Sequence, residues 1–339
     1  MSVICAGILV FDLFAIDLPR IPEPGEVIYV PKKIEMHVGG HAANVAINLR
    51  QLRSSCQRIS LVGAVGMDIF GNYIERFLKK YGIVVRLQRV RKAGTSKDLV
   101  LVVKGQDRRY HVDVGANLHL SPNHVSSIIR EEKPLIFYVG ATGMLGKFDE
   151  ELSHILKYAK SFGCLTFVDP IFPIKFGWEF LLDALKWTDI LHCNDYEATS
   201  MTGERDLERA ATILIEKGVD FLVITRGERG LVAKTKKVAL KMPAFSVPVV
   251  DPSGAGDAFC AGLISKLLQS IDRAPPRLSH LSHEKMKIFL LEGSAAGAAC
   301  VTAVGTTTAV TRENVDRLLN LQGSRILNST EVIVSNKEP

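Results

Sequence analysis

The chain has 339 residues, of which 47% are hydrophobic and 23% charged, and its formal net charge is +6. This composition is ordinary for a globular protein that buries a substantial core, and the mild positive charge fits either an anionic ligand or a basic surface without a partner. The basic clusters alternate with aliphatic residues and lack interleaved aromatic residues, so we expect no nucleic-acid partner.

The six cysteines are scattered, mostly inside apolar runs, and none forms a CxxC pair. This pattern predicts buried thiols in a reducing compartment and argues against a disulfide framework or a zinc site. The first apolar run, residues 3–11, is too short to span a bilayer and has no basic leader before it. We therefore expect a cytoplasmic protein with no membrane partner.

Apolar runs of strand length alternate with helical stretches along the chain. The strand-like runs are residues 3–11, 59–65, 135–139, 165–168, 190–193 and 221–225. Representative helical stretches are residues 42–53, 69–81, 150–161 and 206–217. Runs that are apolar on both faces and separated by helices predict a mostly parallel sheet covered on both sides.

Two stretches do not follow this alternation of strands and helices. Residues 12–36 are rich in proline and short extended pieces, and residues 95–114 alternate like a hairpin that turns at 105–107. Both fit a small accessory sheet that closes over a substrate, and both also fit ordinary surface hairpins. From about residue 323 the chain is polar with one short apolar run, which predicts a partly disordered tail.

A pair of glycines, Gly39 and Gly40, directly precedes the predicted helix at 42–53. Two glycines allow a ligand to approach the backbone closely, and Asn44 in the first turn both donates and accepts hydrogen bonds. This pattern suits a polyhydroxylated small molecule. It equally suits a structural turn before a helix.

Polar residues follow two neighbouring strand-like runs, where ligands sit in open α/β sheets. Asn194 and Glu197 come after residues 190–193, and they either hold water around a magnesium ion or cap the next helix. Thr225 and Gly227 come at the end of residues 221–225. Glycine there either makes room for a nucleotide or turns the chain into a hairpin.

The most informative segment is VDPSGAGDAFCAG at residues 250–262, which runs from a glycine turn into a predicted helix. Gly254, Ala255 and Gly256 let successive backbone N–H groups point into one concavity at the helix N-terminus, which makes an anion site. Asp257 places a carboxylate beside that site. A base next to a phosphate cradle indicates phosphoryl transfer to a hydroxyl group.

Taken together and in this order, the motifs resemble those of the ribokinase-like (pfkB) family of carbohydrate and nucleoside kinases, from about residue 3 to residue 310. Two signatures carry the resemblance, GGHAANVAINL at 39–49 and DPSGAGDAFCAG at 251–262. The segments NDYE, TRGERG, PEPGEVI and VDVGANLHLSP support it. The resemblance implies a three-layer α/β/α core with a mostly parallel central sheet and a small β-sheet lid. The core would comprise residues 1–11, 37–94 and 115–322, the lid 12–36 and 95–114, and the tail 323–339.

The resemblance also implies site residues for a reaction that uses ATP and Mg²⁺. Asp257 would be the catalytic base, and Gly254, Ala255 and Gly256 would form the anion hole. The residues implied to bind the acceptor are Asp12 (at the end of the first strand), Gly39, Gly40 and Asn44. Those implied to bind the nucleotide are Asn194, Thr225, Gly227, Gly254 and Gly256, and Glu197 with Asn194 would position Mg²⁺ through water.

A monovalent-cation site is less complete in the resemblance. Asp251 and Ser253 fall where relatives bind an activating cation, but Ala303 stands where the family usually has an arginine. Potassium activation is therefore left open. The roles of His37, His41 and His111 are also left open.

The leading hypothesis is an ATP-dependent kinase for a small free sugar of the ribose or ketohexose type, because the lid segment GQDRRYHVDVGAN resembles the sugar-kinase branch. One alternative is a nucleoside kinase. Another is a kinase for a sugar acid such as 2-keto-3-deoxygluconate, whose carboxylate Arg108 or Arg109 would bind.

A non-enzymatic alternative is a sugar-sensing pseudokinase, although the base and the anion hole are both intact. A nicotinamide-dependent enzyme is disfavoured because no GxGxxG follows the first strand. The resemblance further suggests a homodimer formed through the lid.

Overall fold

The computed structural model describes residues 1–106, 108–175, 177–271 and 278–334. Two sheets contain the strands of these ranges. In chain order the strands are β1 (Ser2–Gly7), β2 (Val10–Leu18), β3 (Ile34–Gly39), β4 (Arg58–Gly66), β5 (Val84–Val90), β6 (Lys97–Val103), β7 (Arg109–Asp113), β8 (Ile136–Thr142), β9 (Leu165–Pro170), β10 (Ile190–Asn194), β11 (Phe221–Thr225), β12 (Leu231–Lys234), β13 (Val238–Met242) and β14 (Glu331–Val334).

The α-helices of the same ranges lie mainly between these strands. They are α1 (His41–Gln51), α2 (Ile69–Lys80), α3 (Pro122–Glu132), α4 (Lys147–Glu150), α5 (Leu152–Ser161), α6 (Glu179–Ala184), α7 (Asp195–Thr202), α8 (Leu207–Glu216), α9 (Ala255–Gln269), α10 (His283–Cys300), α11 (Arg312–Leu318) and α12 (Ser324–Asn328). Short helical turns lie at Gly115–His119, Leu185–Trp187, Gly227–Arg229, Leu278–His280 and Leu319–Gly323.

The large sheet has the strand order β14-β13-β12-β11-β10-β9-β8-β1-β4-β5 within the described ranges. Its strands from β11 to β5 pair in parallel, whereas β12, β13 and β14 add antiparallel strands at one edge. The carboxyl ends of the parallel strands therefore meet along one edge of the sheet, where loops can assemble a binding site.

Side chains of the central strands alternate between two apolar cores. In β1, Val3 and Cys5 pack with α1, α9 and α10 on one face, while Ile4 and Ala6 pack with α5 and α8 on the other. Since a strand buried on both faces needs apolar residues at every position, the continuous apolar runs of the sequence are explained. The expected three-layer α/β/α core is confirmed.

The second sheet is the lid, with the strand order β3-β2-β6-β7. Strands β6 and β7 form the antiparallel hairpin that alternation within 95–114 predicts, and residue 107 near its tip lies outside the described residues. Strand β2 pairs with β3 in antiparallel and with β6 in parallel fashion. A small apolar cluster of Ala15, Leu18 and Val103 holds the sheet together.

The apolar run at residues 3–11 is two strands and not the single strand expected from the sequence. β1 ends at Gly7, where a Cβ atom would lie 2.3 Å from the backbone oxygen of Gly140, and β2 begins at Val10 in the lid. Asp12 is therefore the third residue of a lid strand and does not end the first core strand. A continuous run of apolar residues does not show where the chain passes from one sheet to another.

The prediction of a separate tail from residue 323 is wrong for residues 324–334. These residues form α12 and β14, and β14 pairs antiparallel with β13 at the edge of the large sheet. The short apolar run of the tail is this edge strand. Residues 335–339 lie outside the described residues.

The six cysteines are buried and unpaired, as the sequence predicts. Within the described ranges, no helix has both the length and the apolar character needed to cross a membrane.

Candidate active site

The glycine turn at 254–256 forms the N-terminus of α9, the 15-residue helix that lies in the centre of one core. Gly254 is the N-cap with a left-handed φ of 73°, and a Cβ atom there would lie 2.6 Å from Thr306 Cβ. The first-turn N–H groups of a helix have no acceptor within the helix, and the helix dipole makes this end positive. The turn thus has the geometry of an anion-binding site.

Asp257 lies in the first turn of α9, and only 7% of its side chain is exposed. Its Oδ2 accepts a hydrogen bond of 2.7 Å from Asn44 Nδ2, whereas its buried Oδ1 has no hydrogen-bond partner among the described residues. Burial raises the pKa of Asp257, although the charge of His41 and the Asn44 bond act in the opposite direction. One oxygen of Asp257 is thus held in place and the other is available to accept a proton.

The glycine pair before α1 fits closely between lid and core. A Cβ atom on Gly39 would lie 2.1 Å from Asp12 Oδ2, and one on Gly40 would lie 2.4 Å from the backbone oxygen of Ile8. Gly40 also has a φ of 94° as the N-cap of α1. The backbone therefore requires glycine at position 40, whereas a side chain at position 39 would displace the Asp12 carboxylate from the start of α1.

Asn44 links α1 to two other parts of the site. Besides its bond to Asp257, its Oδ1 accepts a 2.7 Å hydrogen bond from Thr306 Oγ1. These two bonds fix the orientation of the Asn44 amide group. One Nδ2–H donates to Asp257, and the second Nδ2–H remains for a ligand. The structure thus brings Asn44 and Asp257 together, as the two signatures of the sequence suggest.

Asp12 has a neighbour of like charge that the sequence did not reveal. Asp98 lies opposite Asp12 in the parallel pairing of β2 with β6 and accepts a hydrogen bond from the His111 N–H. Burial, and next the charge of Asp98, raise the pKa of Asp12 to about 7. Burial also raises the pKa of Asp98. The inner face of the lid therefore presents two neighbouring carboxyl groups, both with a raised pKa.

A buried polar cluster lies directly behind the glycine turn. Asp169, at the end of β9, accepts hydrogen bonds from Tyr138 OH at 2.7 Å and from His192 Nδ1 at 2.8 Å. The ring of His192 stacks on Phe259 with centroids 5.2 Å apart, and a Cβ atom on Gly256 would lie 3.2 Å from His192 Cε1. This cluster, which we call the Asp169 cluster (Tyr138, Asp169, His192), forms the floor beneath the glycine turn at 254–256.

The Asp169 cluster also affects the titration of the site. Side-chain atoms of His41, Asp169 and Asp257 lie within 4.8 Å of one another. Burial would lower the pKa of His41, but the charge of Asp257, followed by those of Asp169 and Glu197, raises it. His192, in turn, lowers the pKa of Asp169 against the effect of burial. Sequence reasoning missed both residues: Asp169 is recognisable only as a polar residue at the end of a buried strand, and His192 has no comparable signal.

Asn194 and Glu197 form a reciprocal capping box at the N-terminus of α7. Asn194 Oδ1 accepts from the Glu197 N–H at 2.8 Å, and Glu197 Oε2 accepts from the Asn194 N–H at 2.9 Å. The helix-capping alternative is therefore what their hydrogen bonds show. Burial raises the pKa of Glu197. The capping box leaves the second carboxylate oxygen of Glu197 for a hydrated cation, so the magnesium assignment stays a prediction.

Thr225 and Gly227 lie beside this helix, because Thr225 pairs with Asn194 across β10 and β11. The Thr225 hydroxyl is 3.2 Å from His192 Nε2, and Gly227 starts the turn that leads into the antiparallel strand β12. The backbone at Gly227 therefore forms the hairpin turn that was one of the two alternatives for this segment. A Cβ atom on Gly227 would meet no heavy atom within 4 Å, so there is open space beside it.

Asp251 and Ser253 contact an arginine of the lid hairpin. The Arg108 guanidinium is hydrogen-bonded to Asp251 Oδ1, and its Nη1 lies 2.5 Å from Ser253 Oγ. Asp251 Oδ2 accepts from the Gly305 N–H at 3.0 Å. The residues therefore do not fit a potassium ion in this conformation, because a guanidinium cation already lies against them and Gly305 offers a donor.

The three histidines left open by the sequence lie in different places. His41 lies in the site, with Nε2 3.9 Å from Asp257 Oδ1. His37 is bound by Glu35 at 2.7 Å and packs on Phe14. His111 pairs with Leu99 on the face of the lid opposite to Asp12 and Asp98.

The matches to known proteins agree with the resemblance that the sequence motifs suggest. Residues 2–313 match the family model of the pfkB family carbohydrate kinases. The ribokinase of Haemophilus influenzae is 24% identical over 306 residues, which cover 87% of this chain and 90% of that protein. The nucleoside kinase of Methanocaldococcus jannaschii is 28% identical over 287 residues, which cover 80% of this chain and 85% of that protein.

Solved structures with the same fold include two ribokinases and a putative ribokinase II. The ribokinase of Giardia lamblia has a TM-score of 0.80 at 22% identity and covers 94% of this chain and 98% of its own. The Arabidopsis thaliana ribokinase complexed with ribose and ATP has a TM-score of 0.76 at 22% identity, with coverages of 94% and 98%. A putative ribokinase II from E. coli in complex with ATP and Mg²⁺ has a TM-score of 0.75 at 20% identity, with coverages of 94% and 99%.

Proposed function

Because the chain belongs to the pfkB family of carbohydrate kinases, we propose that it transfers the γ-phosphoryl group of ATP to a hydroxyl group of a small free sugar of the ribose or ketohexose type. The observation that carries this proposal is the Asp257 carboxylate. Asn44 holds its Oδ2, while its Oδ1 is buried without a hydrogen-bond partner among the described residues, next to the N-terminus of α9. A proton acceptor and an anion site are thus adjacent.

In the proposed reaction, Asp257 Oδ1 accepts the proton of the acceptor hydroxyl while the oxygen of that hydroxyl bonds to the γ-phosphorus atom. The bond between the γ-phosphorus and the β,γ-bridging oxygen breaks, and ADP leaves. Charge on the transferred group is stabilised by first-turn N–H groups of the glycine turn at 254–256. The Asp169 cluster supports that turn from behind.

The nucleotide is proposed to lie along the ends of β10 and β11, beside Asn194, Thr225 and Gly227. The open space at Gly227 supports this placement. Mg²⁺ neutralises charge on the transferring phosphates when bound. Glu197 and Asn194 would hold it through water, since a cation of this kind keeps much of its hydration shell.

The lid chemistry supports a neutral, hydroxyl-rich acceptor. Asp12 and Asp98 present carboxyl groups toward the site, and carboxylates accept hydrogen bonds from sugar hydroxyls. Of the two arginines that a sugar acid would use, Arg108 is bound to Asp251 and Ser253, and Arg109 bonds to Gln106. These contacts favour a neutral sugar over a sugar acid as the acceptor.

A screen of acceptors tests the proposed function. ADP release would be coupled to NADH oxidation and measured with ribose, 2-deoxyribose, fructose, 2-keto-3-deoxygluconate and adenosine. We expect turnover with a pentose or a ketohexose and a higher KM, or no turnover, for the other two classes. Turnover confined to adenosine would identify a nucleoside kinase, and ATP and sugar binding without turnover would identify a sensor.

Two further properties belong to the same proposal. The outer face of the lid exposes Ile34, Met36 and Leu99 by 62%, 58% and 44%, which supports a homodimer formed through this face. The six unpaired cysteine thiols support a reducing, cytoplasmic location.

A further inference from the structure

The loop that leads into the anion site contains a buried carboxylate, that of Asp251. Its side chain is 4% exposed. Oδ1 accepts from the Ser253 N–H at 2.8 Å, and Oδ2 accepts from the Gly305 N–H at 3.0 Å. These two bonds tie the loop before α9 to the loop after α10. A buried carboxylate also needs a positive charge nearby, because loss of hydration is otherwise too costly.

The positive charge comes from the lid. Arg108 lies directly before β7, its side chain is 13% exposed, and its guanidinium bonds to both Asp251 Oδ1 and Ser253 Oγ. Tyr110 of β7 makes a second contact. Its hydroxyl lies 2.7 Å from Ser253 Oγ, and the centroid of its ring lies 5.9 Å from the Arg108 guanidinium carbon. Two side chains of the lid hairpin therefore dock on one loop of the core.

This loop is continuous with the proposed catalytic groups. Ser253 directly precedes Gly254, the N-cap of α9. On the other side, Gly305 precedes Thr306, whose hydroxyl bonds to Asn44, and Asn44 bonds to Asp257. A change at Asp251 can therefore alter both the glycine turn and the base.

We propose that Arg108 is the built-in cation of the anion-hole loop, filling the place where relatives bind an activating monovalent cation. The guanidinium neutralises Asp251 and holds Ser253 and Gly254 in position, and it does so from the lid. A docked lid thus completes the geometry of the anion site, and the enzyme needs no monovalent cation. Arg108 acts as a positioning residue. The inference rests on the proposed kinase reaction for its catalytic consequence, but its cation chemistry is independent of the acceptor.

The test compares Arg108→Ala with Arg109→Ala. Arg109 is the matched control, because it is the next residue and pairs with Leu101 on the outer face of the lid. Steady-state kinetics would be measured in choline chloride, potassium chloride and guanidinium chloride at equal, low ionic strength. For the unsubstituted protein and Arg109→Ala, we expect equal kcat in choline and potassium.

For Arg108→Ala in choline, we expect kcat to fall about tenfold or more, because one partner of a buried charge pair is removed. Potassium or guanidinium should restore a large part of kcat, since either cation can enter the vacated space beside Asp251. A purely structural role of Arg108 would not give rescue by small cations. Arg108→Lys, which keeps a charge, should retain more activity than Arg108→Ala in choline.

Thermal unfolding of the same proteins supplies a measurement that needs no acceptor. The midpoint of Arg108→Ala should rise when potassium or guanidinium at low concentration replaces choline, while those of the unsubstituted protein and Arg109→Ala should not change. If no acceptor were turned over by the unsubstituted protein, the proposed function would fail and this comparison would still decide the cation proposal. Potassium dependence of the unsubstituted protein, or an Arg108→Ala protein that is indifferent to both cations, would overturn it.

Discussion

Asp257 combines a carboxylate oxygen that is buried without a hydrogen-bond partner among the described residues and a position at the positive end of a long helix. The helix end and Asn44 favour the ionised form, whereas burial raises the pKa of the carboxyl group. This balance suits a base that must release its proton again after each turnover.

Replacing Asp257 by asparagine should lower kcat by about 10²–10⁴-fold, the range for removing a positioned base, with little change in affinity for ATP. The side chain keeps its size and its contact with Asn44. Steady-state kinetics with the acceptor found in the screen and calorimetric titration with a non-hydrolysable ATP analogue measure the two effects. Asp183→Asn on the exposed face of α6 serves as the control. A kcat near that of the control would remove Asp257 from the mechanism.

We expect Asp98 to affect the proposed reaction through the ionisation of Asp12. Burial and the charge of Asp98 raise the pKa of Asp12 to about 7, so Asp12 loses its charge as the pH falls through neutrality. If the ionised form binds the acceptor, kcat/KM declines below that pH. Asp98→Asn removes the like charge, lowers the pKa of Asp12 and should move the acidic limb of the kcat/KM profile to lower pH.

The matched control for this profile is Asp113→Asn, at the exposed end of β7 and paired with Lys97. Its acidic limb should coincide with that of the unsubstituted protein. An acidic limb in Asp98→Asn that stays in place or moves to higher pH would show that Asp98 does not set the charge of Asp12.

At the scale of single residues, the sequence predicted those candidate site residues that lie within short motifs. Gly254, Asp257 and Asn44 lie in two signatures, and the structure brings all three together. Asp98 was not predicted, because its place beside Asp12 depends on the parallel pairing of β2 with β6, which links residues far apart in sequence. His192 was not predicted, because no local pattern around a histidine in a buried strand reveals that its partner is Asp169.

At the scale of elements, the N-terminus of α9 depends on the Asp169 cluster behind it. His192 bonds to Asp169, touches Thr225 and stacks on Phe259 of α9. His192→Leu should lower the free energy of unfolding by about 2 kcal/mol, because a buried carboxylate loses a hydrogen-bond partner. Kinetic measurements should also show a lower kcat, since the floor under Gly256 changes.

Urea denaturation followed by circular dichroism measures the stability change. His154→Leu is the control, because His154 lies on α5 with 83% of its side chain exposed. Equal midpoints for the two variants would show that the Asp169 cluster does not support the glycine turn.

The elements themselves were largely predictable, and the exceptions have physical reasons. Helix α8 ends just before Gly218, which has a φ of 118°, and Asp206 caps its start. The break between β1 and β2 was missed because both strands are apolar. The edge strand β14 was missed because a short amphipathic strand in a polar segment becomes recognisable only when β13 is available as its partner.

At the scale of the whole molecule, the lid has an apolar outer face that the described residues leave exposed. Ile34, Met36 and Leu99 are exposed on strands β3 and β6. If two copies associate through this face, light scattering coupled to gel filtration should give the mass of a dimer. Met36→Lys with Leu99→Lys should give a monomer, because two charges would be buried without partners.

Leu321→Lys is the control for the dimer, since Leu321 is 74% exposed and lies outside the lid. It should leave the mass unchanged. A monomeric unsubstituted protein, or a lid variant that remains dimeric, would exclude association through the outer face of the lid.

Asp257 is proposed to direct the γ-phosphoryl group of ATP to a sugar hydroxyl. ³¹P nuclear magnetic resonance tests this proposal most directly, by following ATP with ribose or fructose in the presence of Mg²⁺. We expect equal growth of the ADP signals and one sugar phosphomonoester signal, and neither signal at matched time with Asp257→Asn. Formation of ADP with inorganic phosphate alone, or of the phosphomonoester at the same rate by Asp257→Asn, would contradict it.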